Sequence, residues 1–379
     1  MIERIRLLPA LGILAACIVS LAAPSAKVPH HDLRVRLDPQ AHRLSVRDSL
    51  TLDAAHFAAA ATSEGVTLVL HQGLDLRCVT RGWRLLPLEQ VPEDFDGADG
   101  AQVPLAAYRL VRQPDAEGPV VLEWEGAINH PLEQVGEEYQ RSFSETPGLI
   151  TAEGVFLAGS SLWVPRLDNE LLTFRLEAQE LPAGWDVVSQ GGRTSHEEDA
   201  EGRWTTVWEC PEPSEEIYLV AGPWTEYRTH RGKTEILAFL RTADEALADR
   251  YLQATGRYLE MYEQVLPPYP YPSFSLVENF WETGYGMPGF TLLGPQIIRF
   301  PWILSSSYPH EILHNWWGNG VYVDAALGNW CEGLTAYMAD HLLAEQRGAD
   351  AAYRRSTLKK FTDMVRGGED RPLTEFRSR

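Results

Sequence analysis

His310-Glu311-Ile312-Leu313-His314 is an H-E-x-x-H pentapeptide. On a helix, residues four apart share a face, so both imidazoles can reach one metal ion while Glu311 stands beside it. Ser305 to Ser307 and then Pro309 precede the motif, and these residue types favour a helix start. Hydrolytic zinc takes three protein ligands and leaves a fourth position open, so a third donor is needed. Glu332 meets that need, opening a second helical stretch, Glu332 to Gln346, after a reversal at Gly318-Asn319-Gly320. Asp324, in the intervening loop, is the fallback ligand. The bare pentapeptide also suits a surface helix with two unrelated histidines. The helix-start residues, the Asn315-Trp316-Trp317-Gly318-Asn319 continuation and the acid at reversal distance favour the metal site.

A second stretch invites a different chemistry. Gly284-Tyr285-Gly286-Met287-Pro288-Gly289 matches G-x-G-x-x-G, the dinucleotide fingerprint. That fingerprint needs a helix to open within the glycine turn, with its N-terminus facing a pyrophosphate. Here Phe290 to Gly294 continues as strand-like sequence and Pro288 suits a turn, so no nucleotide is expected. A glycine-rich strand edge beside a metal cleft, able to pair with an extended peptide backbone, explains the residues better. His30-His31 reads as a solvated pair, His341 as an ordinary helix residue, Trp316, Trp317 and Trp330 as chiefly core, and Cys331 as packing.

These residues need a scaffold, and the chain supplies two kinds of pattern. From Leu33 to about Trp224 short segments alternate with period two, among them Leu33 to Leu37, His42 to Val46, Val120 to Trp124 and Trp204 to Trp208. Clusters of Pro, Gly and Asp separate them, which predicts an antiparallel sandwich or saddle. After Trp224 the pattern changes. Thr242 to Leu266 predicts a helix, with Thr242 and Glu245 in capping-box spacing, a stripe through Leu247, Tyr251, Ala254, Tyr258, Tyr262 and Val265, and Pro267-Pro268 as its stop. An apolar strand, Phe274 to Phe280, follows. The expected organisation is residues 1–26 as signal or anchor, 27–225 as a β-domain and 226–379 as the domain carrying the chemistry.

Composition narrows the class. The 379 residues, 44% hydrophobic and 23% charged, suffice for two cores and exclude general disorder. A formal charge of -20 has the wrong sign for a non-specific nucleic-acid binder. Four scattered cysteines form no disulfide framework and no C-x-x-C metal cluster. Arg4 and Arg6, the apolar run Leu7 to Ala23 and the small residues up to Ala26 form an export signal, placing the chain in the periplasm or otherwise outside the cytoplasm. Leu14-Ala15-Ala16-Cys17 is similar to a lipoprotein box, and the run is at the lower limit for a span, so membrane attachment through this segment is a further expectation.

Taken together, His310 to Asn319 resembles the zinc helix of the aminopeptidase N-type gluzincin metallopeptidases, and Glu332-Gly333-Leu334-Thr335-Ala336-Tyr337 resembles their Glu-Gly helix. Looser similarity runs from Lys27 onward. The resemblance implies an α+β fold, an N-terminal β-saddle followed by a thermolysin-like catalytic domain that is incomplete at the C-terminus. It also implies one zinc ion per chain and cleavage of N-terminal residues from peptides. His310, His314 and Glu332 would then be ligands and Glu311 the general base.

Three departures qualify what carries over. The spacing from His314 to Glu332 is one residue short of the family's usual one, a difference that a loop between two helices absorbs. The family's Gly-x-Met-Glu-Asn motif holds a Glu for the substrate's free amine; here Gly286 and Met287 are in frame, but Pro288 stands where the Glu belongs. Glu278 and Glu282 lie nearby as substitutes. The family's catalytic Tyr falls beyond Arg379, since Tyr337 and Tyr353 are at the wrong spacing. The leading expectation is a zinc peptidase acting on peptides, an aminopeptidase by resemblance. The alternatives are a zinc endopeptidase and a weak or inactive relative that binds peptide without turnover.

Overall fold

A computed structural model of the chain describes residues 28–375, apart from 93–94, 96–102, 117, 135–143, 168–170, 325–327, 369 and 371. The segment expected to direct export, Cys17 included, lies outside the described residues. Among the described residues no helix is long and apolar enough to cross a membrane.

The period-two segments become strands. Leu33, Val35 and Leu37 point inward from His30–Asp38, while Arg34 and Arg36 are exposed. This strand lies in the middle of a seven-stranded sheet whose order is Gly192–Glu198, Trp204–Ser214, Leu172–Gln179, His30–Asp38, Arg43–Leu50, Val120–Ala127 and Leu74–Cys78. The sheet departs from the antiparallel expectation at one place, because His30–Asp38 pairs with Leu172–Gln179 in parallel. More than a hundred residues separate these two strands, long enough for the chain to return in the same direction. Further sheets of four, three and two strands lie in this strand-rich half.

His31 also departs from its reading as solvated. It is fully buried, and its Nδ1 lies 2.7 Å from Asp48 Oδ2, itself fully buried. The alternation Asp32-Leu33-Arg34-Val35 extends back to place His31 on the inward face, where a paired acid makes its burial tolerable.

A new sheet begins at Thr225. Its order is Thr225–Arg231, Thr234–Leu240, Ser273–Glu278, Phe290–Leu293 and Gly284–Met287, so Gly284–Met287 is an edge strand. The sheet's three central strands are buried on both faces. From Thr234–Leu240, Leu237 and Phe239 join the core of the strand-rich half, whereas Ile236, Ala238 and Leu240 join a second core with the helices. Burial on both faces explains why Ile236 to Leu240 reads as an unbroken apolar run.

The long helix spans Glu245–Glu263 and buries Leu247, Tyr251, Ala254 and Tyr262 from the predicted stripe. Its start differs from the capping box expected at Thr242. Asp244 is the N-cap and accepts a hydrogen bond from the Leu247 amide at 2.9 Å. Asp is as good a cap as Thr and stands directly before the first helical residue. Val265 lies past the helix end and is exposed.

Candidate metal centre and cleft

The motif helix is short, Ser307–Leu313, with His314 at its C-cap. Ser306 occupies the N-cap position without capping, because its hydroxyl turns back to the Trp302 carbonyl at 2.8 Å. What fixes this helix is a set of tyrosines from the Glu245–Glu263 helix and the loop after it. Tyr308 packs edge-on against Tyr251 at 4.8 Å and bonds Thr255 Oγ1 at 2.5 Å. Tyr262 donates to the Pro309 carbonyl at 3.0 Å. Apolar Ile312 and Leu313 are fully buried beside them, leaving His310, Glu311 and His314 on the opposite, open side.

Glu332 arrives on the helix Cys331–Ala336 and meets both imidazoles. Its Oε2 lies 3.4 Å from His310 Nε2, and its Oε1 lies 3.5 Å from His314 Nε2. One donor atom from each of the three residues lies within 4.8 Å of the others. Two ligand atoms each about 2.1 Å from a tetrahedral zinc would be about 3.4 Å apart, close to the two Glu332–imidazole distances, so the donor set suits that ion. Asp324 is exposed and is not one of the three donors that meet.

The outer ring nitrogens are also engaged. His314 Nδ1 donates to the Trp317 carbonyl at 3.1 Å, which leaves Nε2 free to bind metal. His310 Nδ1 lies 3.4 Å from Asp340 Oδ2. Carboxylates and carbonyls in these positions fix the ring orientation of metal-binding histidines. Sequence reasoning missed Asp340. Eight residues at about 100° each carry it about 80° past Glu332 on an α-helix. Residues Tyr337–His341, however, form a π-helical turn, whose wider winding brings the two carboxylates back to one side.

Electrostatics favour a cation here. Burial opposes a proton on His310, yet hydrogen bonds with Asp340 and Glu332, aided by the Glu311 charge, push its pKa up to about 10. Removal from water pushes the Glu311 carboxyl up, while the His310 hydrogen bond holds Glu332 down. Glu311 lines an open cleft of about 290 Å³ with Ser306, Ser307, His310 and Asp340.

The glycine-rich stretch forms a hairpin of the strands Gly284–Met287 and Phe290–Leu293, where the dinucleotide fingerprint would require a helix. Gly286 comes directly against the motif helix: a Cβ built on it would lie 2.7 Å from Glu311 Oε2. Met287 is buried in the core. Glu278 is buried and engaged, with Arg299 Nη1 at 2.6 Å and the Arg241 amide at 2.8 Å. Glu282 Oε1 accepts from the Gln296 amide at 2.9 Å. Glu278 is thus held on both sides by this chain's own donors, whereas Glu282 has a partner on Oε1 alone and its buried Oε2 has none among the described residues. Cys331 is buried beside His314, with its Sγ 3.5 Å from Nδ1. His341 bonds Arg354 at 2.8 Å and stacks on the exposed Tyr337, away from the donor cluster.

A second group of potential ligands, Asp186, His196 and Glu226, also converges. Arg193 occupies it, with Nη1 2.7 Å from Glu226 and 3.5 Å from Asp186. A guanidinium in that place repels a metal ion, so this cluster is an ion-pair network tying the strand-rich half to the first strand of the five-stranded sheet.

No family model matches the chain, and no curated protein matches its sequence. Solved structures do match its fold. An M1 zinc metallopeptidase from Deinococcus radiodurans superposes with a TM-score of 0.59 at 18% identity, over 92% of this chain and 77% of its own. A mutant of that enzyme bound to a Tyr-Ser-Ala substrate gives 0.61 at 19% identity with the same coverage. Yeast LTA4 hydrolase gives 0.55 at 14% identity, over 89% of this chain and 52% of its own. The chain has the α+β, two-domain fold of the M1 zinc metallopeptidases.

Proposed function

We propose that the protein is a zinc-dependent metallopeptidase in which His310, His314 and Glu332 hold the ion and Glu311 is the general base. The observation that carries this reading is the convergence of His310, His314 and Glu332, with donor atoms within 4.8 Å of one another, beside a carboxylate whose pKa burial pushes up. Held by His310, His314 and Glu332, a zinc ion would supply Lewis-acid polarisation of the scissile carbonyl and would acidify the attacking water. Glu311 takes the proton from that water and delivers it to the leaving amine, a role its upward-shifted pKa suits. Asp340 and the Trp317 carbonyl keep the two imidazoles oriented. The edge strand Gly284–Met287 has no strand neighbour on its outer side among the described residues and runs next to Glu311, where an extended peptide would add as a further strand. By fold likeness the substrate is a peptide, and aminopeptidase action is the first activity to assay. Export out of the cytoplasm, with or without retention at the membrane, completes the proposal.

The test uses zinc-loaded protein and paired peptides, one with a free N-terminus and one acetylated. Cleavage of the free peptide alone supports an aminopeptidase. Equal cleavage of both supports an endopeptidase. In either case Glu311→Gln should keep its zinc and lower the rate by about 10²–10⁴-fold. Undiminished activity in Glu311→Gln would remove the base assignment, and a zinc-loaded parent that binds peptide without cleaving it would leave a binding module.

A further inference from the structure

We propose that Asn315, the residue after the second motif histidine, is a positioning residue that latches the substrate-pairing hairpin to the motif helix; this rests on the peptidase reading above. Asn315 is fully buried and every polar atom of its side chain is used. Its Oδ1 accepts from the Gly289 amide at 2.8 Å and from the Tyr269 hydroxyl at 3.3 Å. Its Nδ2 donates to the Ile312 carbonyl at 2.8 Å, which anchors the amide group to the helix that carries His310 and Glu311.

Gly289 is the other end of the latch. Pro288-Gly289 closes the hairpin between Met287 and Phe290, and Gly289 sits at φ +79, which glycine adopts without strain. At that turn position the Gly289 amide points out of the hairpin and needs an acceptor, because it is buried. Asn315 provides it. The Gly289 carbonyl meanwhile accepts from the Ser275 amide at 2.9 Å, so the turn is held on both sides.

Asn319, four residues further on, reaches the same hairpin through Nδ2 to the Gly286 carbonyl at 3.4 Å. The two asparagines therefore hold both ends of the segment Gly286–Gly289, with the Glu311 carboxylate against its first residue. This fixes the distance between the edge that pairs with substrate and the groups that act on it. A displacement of an ångström there is enough to cost about a hundredfold in rate.

The experiment compares Asn315→Ala and Asn315→Asp with the parent on two probes, acetohydroxamate, which needs only the metal, and a dipeptidyl hydroxamate, which also needs the strand edge. Amide hydrogen exchange of the segment 284–290 is followed in parallel. Asn315→Ala should bind acetohydroxamate as the parent does, bind the dipeptidyl probe about tenfold more weakly, and exchange faster at Gly289 and along Gly284–Met287. Asn315→Asp keeps the acceptor oxygen and should recover most of the dipeptidyl affinity. Equal affinity of Asn315→Ala and parent for the dipeptidyl probe, or an equal loss for both probes, overturns the latch. If the parent binds neither probe, the peptidase reading fails, and unchanged exchange at Gly289 in Asn315→Ala then overturns the latch by itself.

Discussion

At the scale of single residues, the convergence of His310, His314 and Glu332 was legible because chemistry imposes its spacing: two imidazoles on one ion need i and i+4, and a third donor needs a reversal. Asp340 was not legible, because a π-helical turn alters the winding that a sequence reader assumes. Nor could the sequence show that Glu278 would pair with Arg299 and the Arg241 amide, or Glu282 Oε1 with the Gln296 amide. Asp340 is the next residue to test. Losing the carboxylate that orients a metal-binding histidine costs about 10–100-fold in metal affinity. Asp340→Asn should therefore release zinc to a chelator at correspondingly lower chelator concentration while remaining folded. Retention as tight as the parent's would show that Asp340 does not orient His310.

At the scale of elements, the sequence located strands and the long helix well where period and burial agree. It misread their ends, because several polar residues compete for one cap. Thr242 and Asp244 both precede the Glu245–Glu263 helix, and only Asp244 bonds the Leu247 amide. Asp244→Ala should cost about 0.5–2 kcal/mol of stability, read as a lower Tm with zinc content unchanged. Thr242→Ala should leave Tm near the parent's, and the reverse ranking would restore the capping box. The glycine hairpin shows a different limit. Its motif matched a nucleotide fingerprint letter for letter, and the turn-forming Pro288 and the strand after it, Phe290–Leu293, spoke against it.

At the scale of the whole molecule, two halves share the five-stranded sheet, one core on each face, so the geometry of the cleft depends on both. That coupling makes global stability depend on groups far from the cleft. His71 Nε2 lies 2.9 Å from His130 Nε2 in the strand-rich half, and burial followed by the His130 charge lowers the His71 pKa from 6.5 to about 4. The unfolded chain therefore binds the extra proton first. This contribution is present above pH 6.5 and is lost as pH falls through about 4. His71→Phe should flatten the fall in Tm across that window, and an unchanged slope would remove His71 as its source. Over all scales the central claim is that His310, His314 and Glu332 form a zinc site. Metal analysis of folded, chelator-free protein tests it most directly. We expect about one zinc per chain, with most of it lost in Glu332→Gln. Folded parent protein with no zinc, in a preparation never exposed to chelator, would contradict the account.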